Sequence, residues 1–492
     1  MTKTNLLIFM TDQQRASSVF GPNKAYTPNL DKFRKQSLSF TQVHCPSPHC
    51  CPSRATFFTG QYPTRHGIWN NVQVGNTLSD DLTPGTRLWS EDLAEAGYDL
   101  HYFGKWHVSA KQGPKDFGWT EHTITANAAD PGREKTYEWE RYRRNDLCMQ
   151  RNEATRADGE IQRPGYNQYF NYGIDEDNYN DKVHVDGAVK LIGELKGSDK
   201  PWGMYVGTLG PHDPYFAPQR FVDMYDLDDI VLPESFADTM EDKPALYRRT
   251  RSMFDQMSER EHKESIRHYL AFCSWEDELF GMLLDALQAS GQADHTAVLY
   301  CSDHGDYTAE HGLWCKGLPC FKSAYHVPAV LRWPGHLPAA VQGSNVDAFV
   351  SLADFHPTFM QMAGLEAPSD IYGQSLLPFL KGESPSDWRD AMFTQSNGNE
   401  LYGIQRSVMT HKWHLVYNGY DFDELYDMQN DPEQITNLAT DPQYEPIKRE
   451  LYERLWQFAY EQKDVCINPY IMVGLAAYGP GVATGFKQAF VK

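Results

Sequence analysis

The chain has 492 residues, 41% of them hydrophobic, 13% aromatic and 23% charged. This globular composition excludes disordered and collagen-like classes and can fill one large α/β core plus a smaller partner. A formal net charge of −21 repels phosphate backbones and anionic lipid, which argues against nucleic acid and membrane surfaces as partners.

In chain order, Asn5 to Met10 is almost continuously apolar, predicting a strand buried on both faces, with Asp12 just past its end. Thr86 to Ala96 predicts a helix stopped by Gly97, and Tyr98 to Phe103 a strand that ends in Gly104-Lys105-Trp106-His107. The segment Arg133 to Arg163, with eight Lys or Arg against seven Asp or Glu, is followed by Tyr166, Tyr169, Phe170 and Tyr172. It reads either as a substrate-facing insertion offering arginines and rings or as an ordinary surface excursion. Trp202 to Thr208 predicts a strand leading into Gly210-Pro211-His212-Asp213-Pro214. Apolar residues at helical spacing from Ser265 to Ser290 predict a long helix, and Thr296 to Tyr300 a strand leading into Ser302-Asp303-His304-Gly305.

Strands alternating with helices imply an α/β fold with a large mixed, mostly parallel central sheet flanked by helices. Four strands then deliver polar residues at their C-terminal ends, where such sheets place their sites. After a short helix from Asp354 to Gly364, Pro368, Gly373, Pro378, Gly382 and Pro385 break the chain. The expected organisation is a catalytic α/β domain over 1–375, a small α+β domain over 376–465 and an apolar docking tail over 466–492. Strands over Met392 to Gln395, Gly403 to Thr410 and Lys412 to Tyr417, with a helix over Pro446 to Tyr460, predict an antiparallel sheet in the second.

The most informative stretch is Cys50-Cys51-Pro52-Ser53-Arg54-Ala55-Thr56-Phe57-Phe58-Thr59-Gly60. Ser53 to Phe58 can open a helix. A thiol at its start meets free N–H groups and the positive end of the helix dipole, which lower a cysteine pKa, and Arg54 adds a fixed charge. A reactive cysteine or an anion site follows. Zinc held by Cys45, His49, Cys50 and Cys51 is disfavoured, because adjacent cysteines chelate badly and no second pair follows. The nine cysteines are scattered and odd in number, which fits a reducing compartment better than a disulfide scaffold. No apolar run approaches the roughly 20 residues that span a bilayer, so cytoplasm is the expected location, or the periplasm or exterior if a leader was trimmed.

Cys50-Cys51-Pro52-Ser53-Arg54 followed by Thr59-Gly60 resembles the signature of the type I sulfatases of the alkaline phosphatase superfamily, Cys-x-Pro-Ser-Arg with a short helix and Thr-Gly. The resemblance continues to Leu425-Tyr426-Asp427 and Asp431-Pro432-Glu433. It implies that Cys50, not Cys51, is oxidised by a maturation enzyme to formylglycine, whose hydrate supplies the nucleophile. It also implies metal ligation by Asp12, Gln13, residue 50, Asp303 and His304. Aspartate ligands make Ca²⁺ the first expectation, with Mg²⁺ as an alternative. The family often shows two aspartates at the first position and Asp-Asn at the second; Asp12-Gln13 and Asp303-His304 depart from that, one carboxylate fewer and an imidazole more, which opens Mn²⁺ or another transition ion. Lys105 and Lys316 match sulfate-contacting lysines, His107 a base, His212 a general acid, and Arg54 a residue that positions the formylglycine.

The activity implied is sulfatase: hydrolysis of a sulfate monoester, with a slight tilt toward carbohydrate sulfates. Phosphonate monoester or phosphodiester hydrolysis is the alternative, and an unmatured sulfate-binding protein the rival of another class. A homo-oligomer stays open, since the tail could cover a subunit interface instead of its own body.

Overall fold

The computed structural model describes residues 3–21, 24–123, 159, 169, 176, 179–399, 401–466 and 478–479. The larger of the two sheets among the described residues contains β1 (Asn5–Thr11), β2 (Leu38–His44), β3 (Asp99–Gly104), β4 (Thr120–His122), β5 (Trp202–Gly207), β6 (Thr296–Ser302), β7 (His326–Arg332) and β8 (Asn345–Ser351). Their order is β4-β3-β5-β1-β6-β7-β2-β8. Only β7 opposes its neighbours, so the sheet is mixed and mostly parallel as expected.

Alternate side chains of a strand point to opposite faces, and β1 uses both. Leu6, Ile8 and Met10 enter one core with Phe57, Phe58, Trp89 and Phe359, whereas Leu7 and Phe9 enter the other with Val185, Ile192, Phe280 and Leu283. The first core is closed by α1 (Cys50–Thr59), α2 (Trp89–Glu95) and, after two further helices, by α5 (Phe355–Met362). Those two helices, α3 (Asn180–Glu194) and α4 (Glu259–Ser290), close the second core. Burial on both faces is why these strands read as continuous apolar runs.

The smaller sheet, β9 (Ala391–Gly398), β10 (Tyr402–Thr410), β11 (Trp413–Asn418) and β12 (Glu424–Asp427), is antiparallel. It packs Val408, Leu415 and Tyr417 against Leu451, Leu455 and Trp456 of α6 (Glu445–Glu461). Gln395 N donates to Pro46 O (2.7 Å) and the Tyr62 hydroxyl to Phe393 O (3.0 Å), joining this sheet to the loop and helix around Cys50.

Several boundaries differ from the sequence reading. α4 begins at Glu259, six residues before Ser265, because Ser258 and Glu261 form a reciprocal capping box. α2 begins at Trp89, not Thr86, because Leu88 is still extended and its N–H is taken by the Glu91 carboxylate (2.9 Å). The basic, aromatic segment from Arg133 to Tyr172 lies outside the described residues apart from Gly159 and Tyr169, as does the tail beyond Cys466 apart from Tyr478 and Gly479. Tyr478 itself docks on α6, where its carbonyl accepts from Trp456 Nε1 (2.7 Å) and its hydroxyl donates to Glu445 (2.5 Å).

His66 props α1 from beneath. Its Nδ1 accepts from Ile68 N (3.1 Å), and its Nε2 lies 3.1 Å from Thr56 Oγ1, whose own proton goes to Pro52 O. The ring is therefore neutral with the proton on Nε2. Burial depresses its pKa from 6.5 to about 3. Since the unfolded chain binds this proton first, the contribution is intact above pH 6.5 and is lost as pH falls toward 3. His66→Gln is expected to flatten the rise of unfolding free energy with pH in that window by about one proton, roughly 1.4 kcal/mol per pH unit. Urea unfolding at a series of pH values measures this; an unchanged slope would mean the ring is already charged in the fold.

Candidate active site

Parallel neighbours bring their C-terminal ends to one edge. β1 leads into Asp12 and Gln13, β6 into Asp303 and His304, β3 into Lys105 and His107, and β5 into His212, while α1 starts at Cys50. Two glycines permit the close approach. β3 ends at Gly104 with φ +83°, where a Cβ would meet Gly207 O at 1.9 Å, so Lys105 N can donate to that same oxygen (2.9 Å). At Gly305 a Cβ would meet Ser323 O at 2.0 Å. Gln13 (φ 67°) and His107 (φ 51°) adopt left-handed backbone conformations, which cost a non-glycine residue about 1 kcal/mol or more and cluster at functional sites.

Asp12, Cys50, Asp303 and His304 are buried, each offering one ligand atom within 4.8 Å of all the others. Cys50 Sγ lies 3.3 Å from His304 Nε2 and 3.7 Å from Asp12 Oδ1. Lys105 Nζ pairs with Asp12. Arg54, with no exposed side-chain surface, places Nε 2.8 Å from Asp303 Oδ2 and Nη2 3.6 Å from Asp12 Oδ2, while Nη1 donates to Lys105 O (2.9 Å) and to the Tyr205 hydroxyl (3.1 Å). Two carboxylates and an imidazole, buried together, form a donor set suited to a hard or borderline divalent ion.

The two adjacent cysteines diverge. Burial works against ionisation of Cys50, yet Lys105, Lys316, His304 and a hydrogen bond with His107 bring its pKa well below the ordinary thiol value. Cys51 turns into the core, accepts from Val72 N (3.3 Å), and is pushed up by burial and by Cys50. Burial and Cys50 would raise Asp12, but Lys105, His212 and His304 hold it well below the carboxylate range. Burial opposes a charged His304, but Asp303, Cys50 and a hydrogen bond with Asp12 together outweigh it and push the group up to about 9. His107 goes the other way: burial depresses it, Cys50 only partly compensating, and so leaves a neutral imidazole beside the thiol.

Lys316 Nζ donates to Gln13 Oε1 (2.5 Å) and lies 2.7 Å from His212 Nε2. An ammonium only donates, so Nε2 accepts, and Nδ1–H points to Asp213 O (2.6 Å). Gln13, expected as a ligand through its carbonyl oxygen, here turns that oxygen to Lys316, and its amide donates to Asp213 (2.8 Å) and Asp306 (2.7 Å). The ten residues singled out from sequence thus converge. His311 and His326, left unassigned, serve elsewhere: His311 lies between Asp238 (2.8 Å) and Glu433 O (2.8 Å), and His326 hydrogen-bonds Thr41 O (2.7 Å). Sequence reasoning missed Asp213, Asp306 and Tyr205; the signals were adjacency to His212, the run Asp303-His304-Gly305-Asp306, and strand β5.

Replacing Arg54 by Met is expected to leave Asp303 without its buried partner and to cost about 3–5 kcal/mol. Urea unfolding of the metal-free protein tests this, and a loss under about 1 kcal/mol would show that the carboxylates do not depend on the guanidinium.

Comparison with known proteins agrees with this geometry. The family model described as "Sulfatase" matches residues 4–365, and that of the N-sulphoglucosamine sulphohydrolase C-terminal region matches residues 309–461. A choline-sulfatase of Rhizobium meliloti is 28% identical, covering 89% of this chain and 83% of its own. An N-acetylglucosamine-6-O-sulfatase of Bacteroides thetaiotaomicron is 26% identical over 94% and 87%. Among solved structures, a phosphonate monoester hydrolase of Agrobacterium radiobacter superposes with a TM-score of 0.75 at 22% identity, covering 94% of this chain and 96% of that one. A protein solved with its substrate D-glucosamine-2-N,6-O-disulfate gives 0.71 at 21% identity, covering 94% and 99%. A family match over most of the chain, on a fold that gathers the signature residues at one sheet edge, establishes that the chain belongs to the type I sulfatases, sulfuric ester hydrolases of the alkaline phosphatase superfamily.

Proposed function

We propose that this protein hydrolyses a carbohydrate sulfate monoester to alcohol and inorganic sulfate at the site built around residue 50, within the segment 1–375. The observation that carries this is Cys50 itself: the first residue of a fully buried helix, set among Asp12, Asp303 and His304 and under the charges of Lys105 and Lys316.

Cys50 stands at the cysteine of the maturation signature, and its buried, strongly cationic surroundings suit an oxygen nucleophile; matured to formylglycine by a partner enzyme, it would supply a hydrated aldehyde oxygen to attack sulfur. Asp12, Asp303 and His304, together with residue 50 and, on turning, the Gln13 oxygen, would hold a divalent ion, Ca²⁺ first, which polarises a sulfate oxygen. The chain's own groups do the rest. Lys105 and Lys316 neutralise charge on the sulfate oxygens, Lys316 leaving Gln13 and His212 to do so. That frees His212 Nε2, with Nδ1–H still held by Asp213 O, to bind a proton and, as the imidazolium, pass it to the departing alcohol. Neutral His107, beside residue 50, would then take the proton of the hydrate's second hydroxyl, so that the C–O bond to the bound sulfate breaks, inorganic sulfate leaves and the aldehyde of residue 50 returns. Arg54 keeps Asp12 and Asp303 apart and correctly turned.

Peptide mass analysis is expected to find residue 50 lighter than cysteine by about 18 Da when the protein is produced with a maturation enzyme, and Cys50→Ala to lose activity by at least about 10³-fold. An active Cys50→Ala protein would overturn this reading. The phosphonate monoester hydrolase neighbour supports a second reading on the same site. Activities on 6-O- and 2-N-sulfated glucosamines, choline sulfate and an aryl phosphonate monoester separate them. The expected order of kcat/KM places a sulfated sugar first by at least about tenfold; a phosphonate in first place would reverse the assignment.

A further inference from the structure

Beneath the loop that carries His212, two carboxyl groups are buried together without a cationic partner among the described residues. Asp181, at the start of α3, is 1% exposed, and its two oxygens accept from Leu209 N (2.8 Å) and Gly210 N (2.9 Å). Glu276, on α4, is wholly buried, and neither of its oxygens meets a donor in hydrogen-bond geometry. It faces Asp181 and Thr208, and Asp12 is the next charge it feels. The loop lies directly on it: a Cβ at Gly210 would meet Glu276 Oε1 at 2.2 Å and Phe272 Cε2 at 2.3 Å.

The backbone held this way serves both halves of the site. Gly210 O accepts from Asp12 N (2.9 Å), and Leu209 O accepts from His212 N (3.0 Å). Two ionised carboxylates pressed together in an apolar setting would repel each other, and one retained proton removes the conflict. Burial and Asp181 push Glu276 well up, and burial pushes Asp181 to about 6 despite its two N–H donors.

We propose that Asp181 and Glu276 form a proton-sharing clamp that positions the Leu209–His212 loop, making them positioning residues for proton delivery to the leaving alcohol. This rests on His212 as the proton donor. A merely structural pair would affect all substrates alike, whereas a clamp on the acid matters most where the leaving group needs its proton.

The test is kcat/KM of the matured enzyme on aryl sulfates of graded phenol acidity. His212→Ala and Asp181→Asn are both expected to lose at least about tenfold more on the least acidic phenol than on 4-nitrophenyl sulfate. Glu276→Gln, which stays neutral and can donate, is expected to restore what Glu276→Leu loses. Gly210→Ala, which pushes on the clamp from the loop side, gives the same leaving-group signature and serves if Asp181→Asn does not fold. If His212→Ala shows the dependence but Asp181→Asn and Gly210→Ala lose equally on every substrate, the clamp is refuted and the acid stands. If His212→Ala shows none, both are refuted. A Glu276→Gln enzyme no better than Glu276→Leu also refutes the shared proton.

Discussion

The site depends on one guanidinium held out of water. Arg54 touches Asp303 from β6, approaches Asp12 from β1, and donates to the carbonyl after β3 and to a tyrosine of β5. A buried arginine is expensive unless carboxylates and hydrogen bonds compensate it; here Nε and Nη1 are hydrogen-bonded, Nη2 stands 3.6 Å from Asp12, and the group ties together the adjacent strands β3, β5, β1 and β6. Because Arg54 lies one turn after Cys50 on the same helix, the contacts that fix the fork also fix residue 50. Packing of α1 and placement of residue 50 are therefore one constraint.

Charge is arranged in shells around that point. Asp12 and Asp303 supply buried negative charge that Arg54 pairs with, Lys105, Lys316 and His304 depress the thiol of Cys50 against its burial, and burial together with Cys50 raises Cys51. Two adjacent cysteines take opposite characters because one faces this field and the other the hydrocarbon core. Gln13 adds a polar relay, its amide tying Lys316 to Asp213 and Asp306, and so couples this lysine to the loop that bears His212.

The parts of the fold legible in sequence were those with a strong local period. β1, β5 and β6 are nearly unbroken apolar runs because helices cover both faces. β7 was not legible: Pro328 sits in it, tolerated where the pairing with β2 shifts register between Phe40 and Val43. β2 mixes Thr41 and Gln42 into its apolar pattern. The first turns of α4 escaped notice because every residue from Glu259 to Glu264 is charged or polar, and Glu261, His262 and Glu264 are nonetheless buried by contacts distant in sequence.

For the site, the sequence by itself determined the chemical groups and their local spacing: the Cys50 to Arg54 turn, the Lys105 and His107 pair, and polar residues following apolar strands. Those depend only on neighbours a few residues away. Tertiary structure alone decided that Lys105, Lys316 and His304 depress Cys50 while burial raises Cys51, that Gln13 bridges Lys316 to two aspartates, and that Asp181 and Glu276 lie under the His212 loop. Each of these depends on desolvation and on charges brought together across 28 to more than 300 residues of chain, and such long-range electrostatics leave no periodic trace in the sequence.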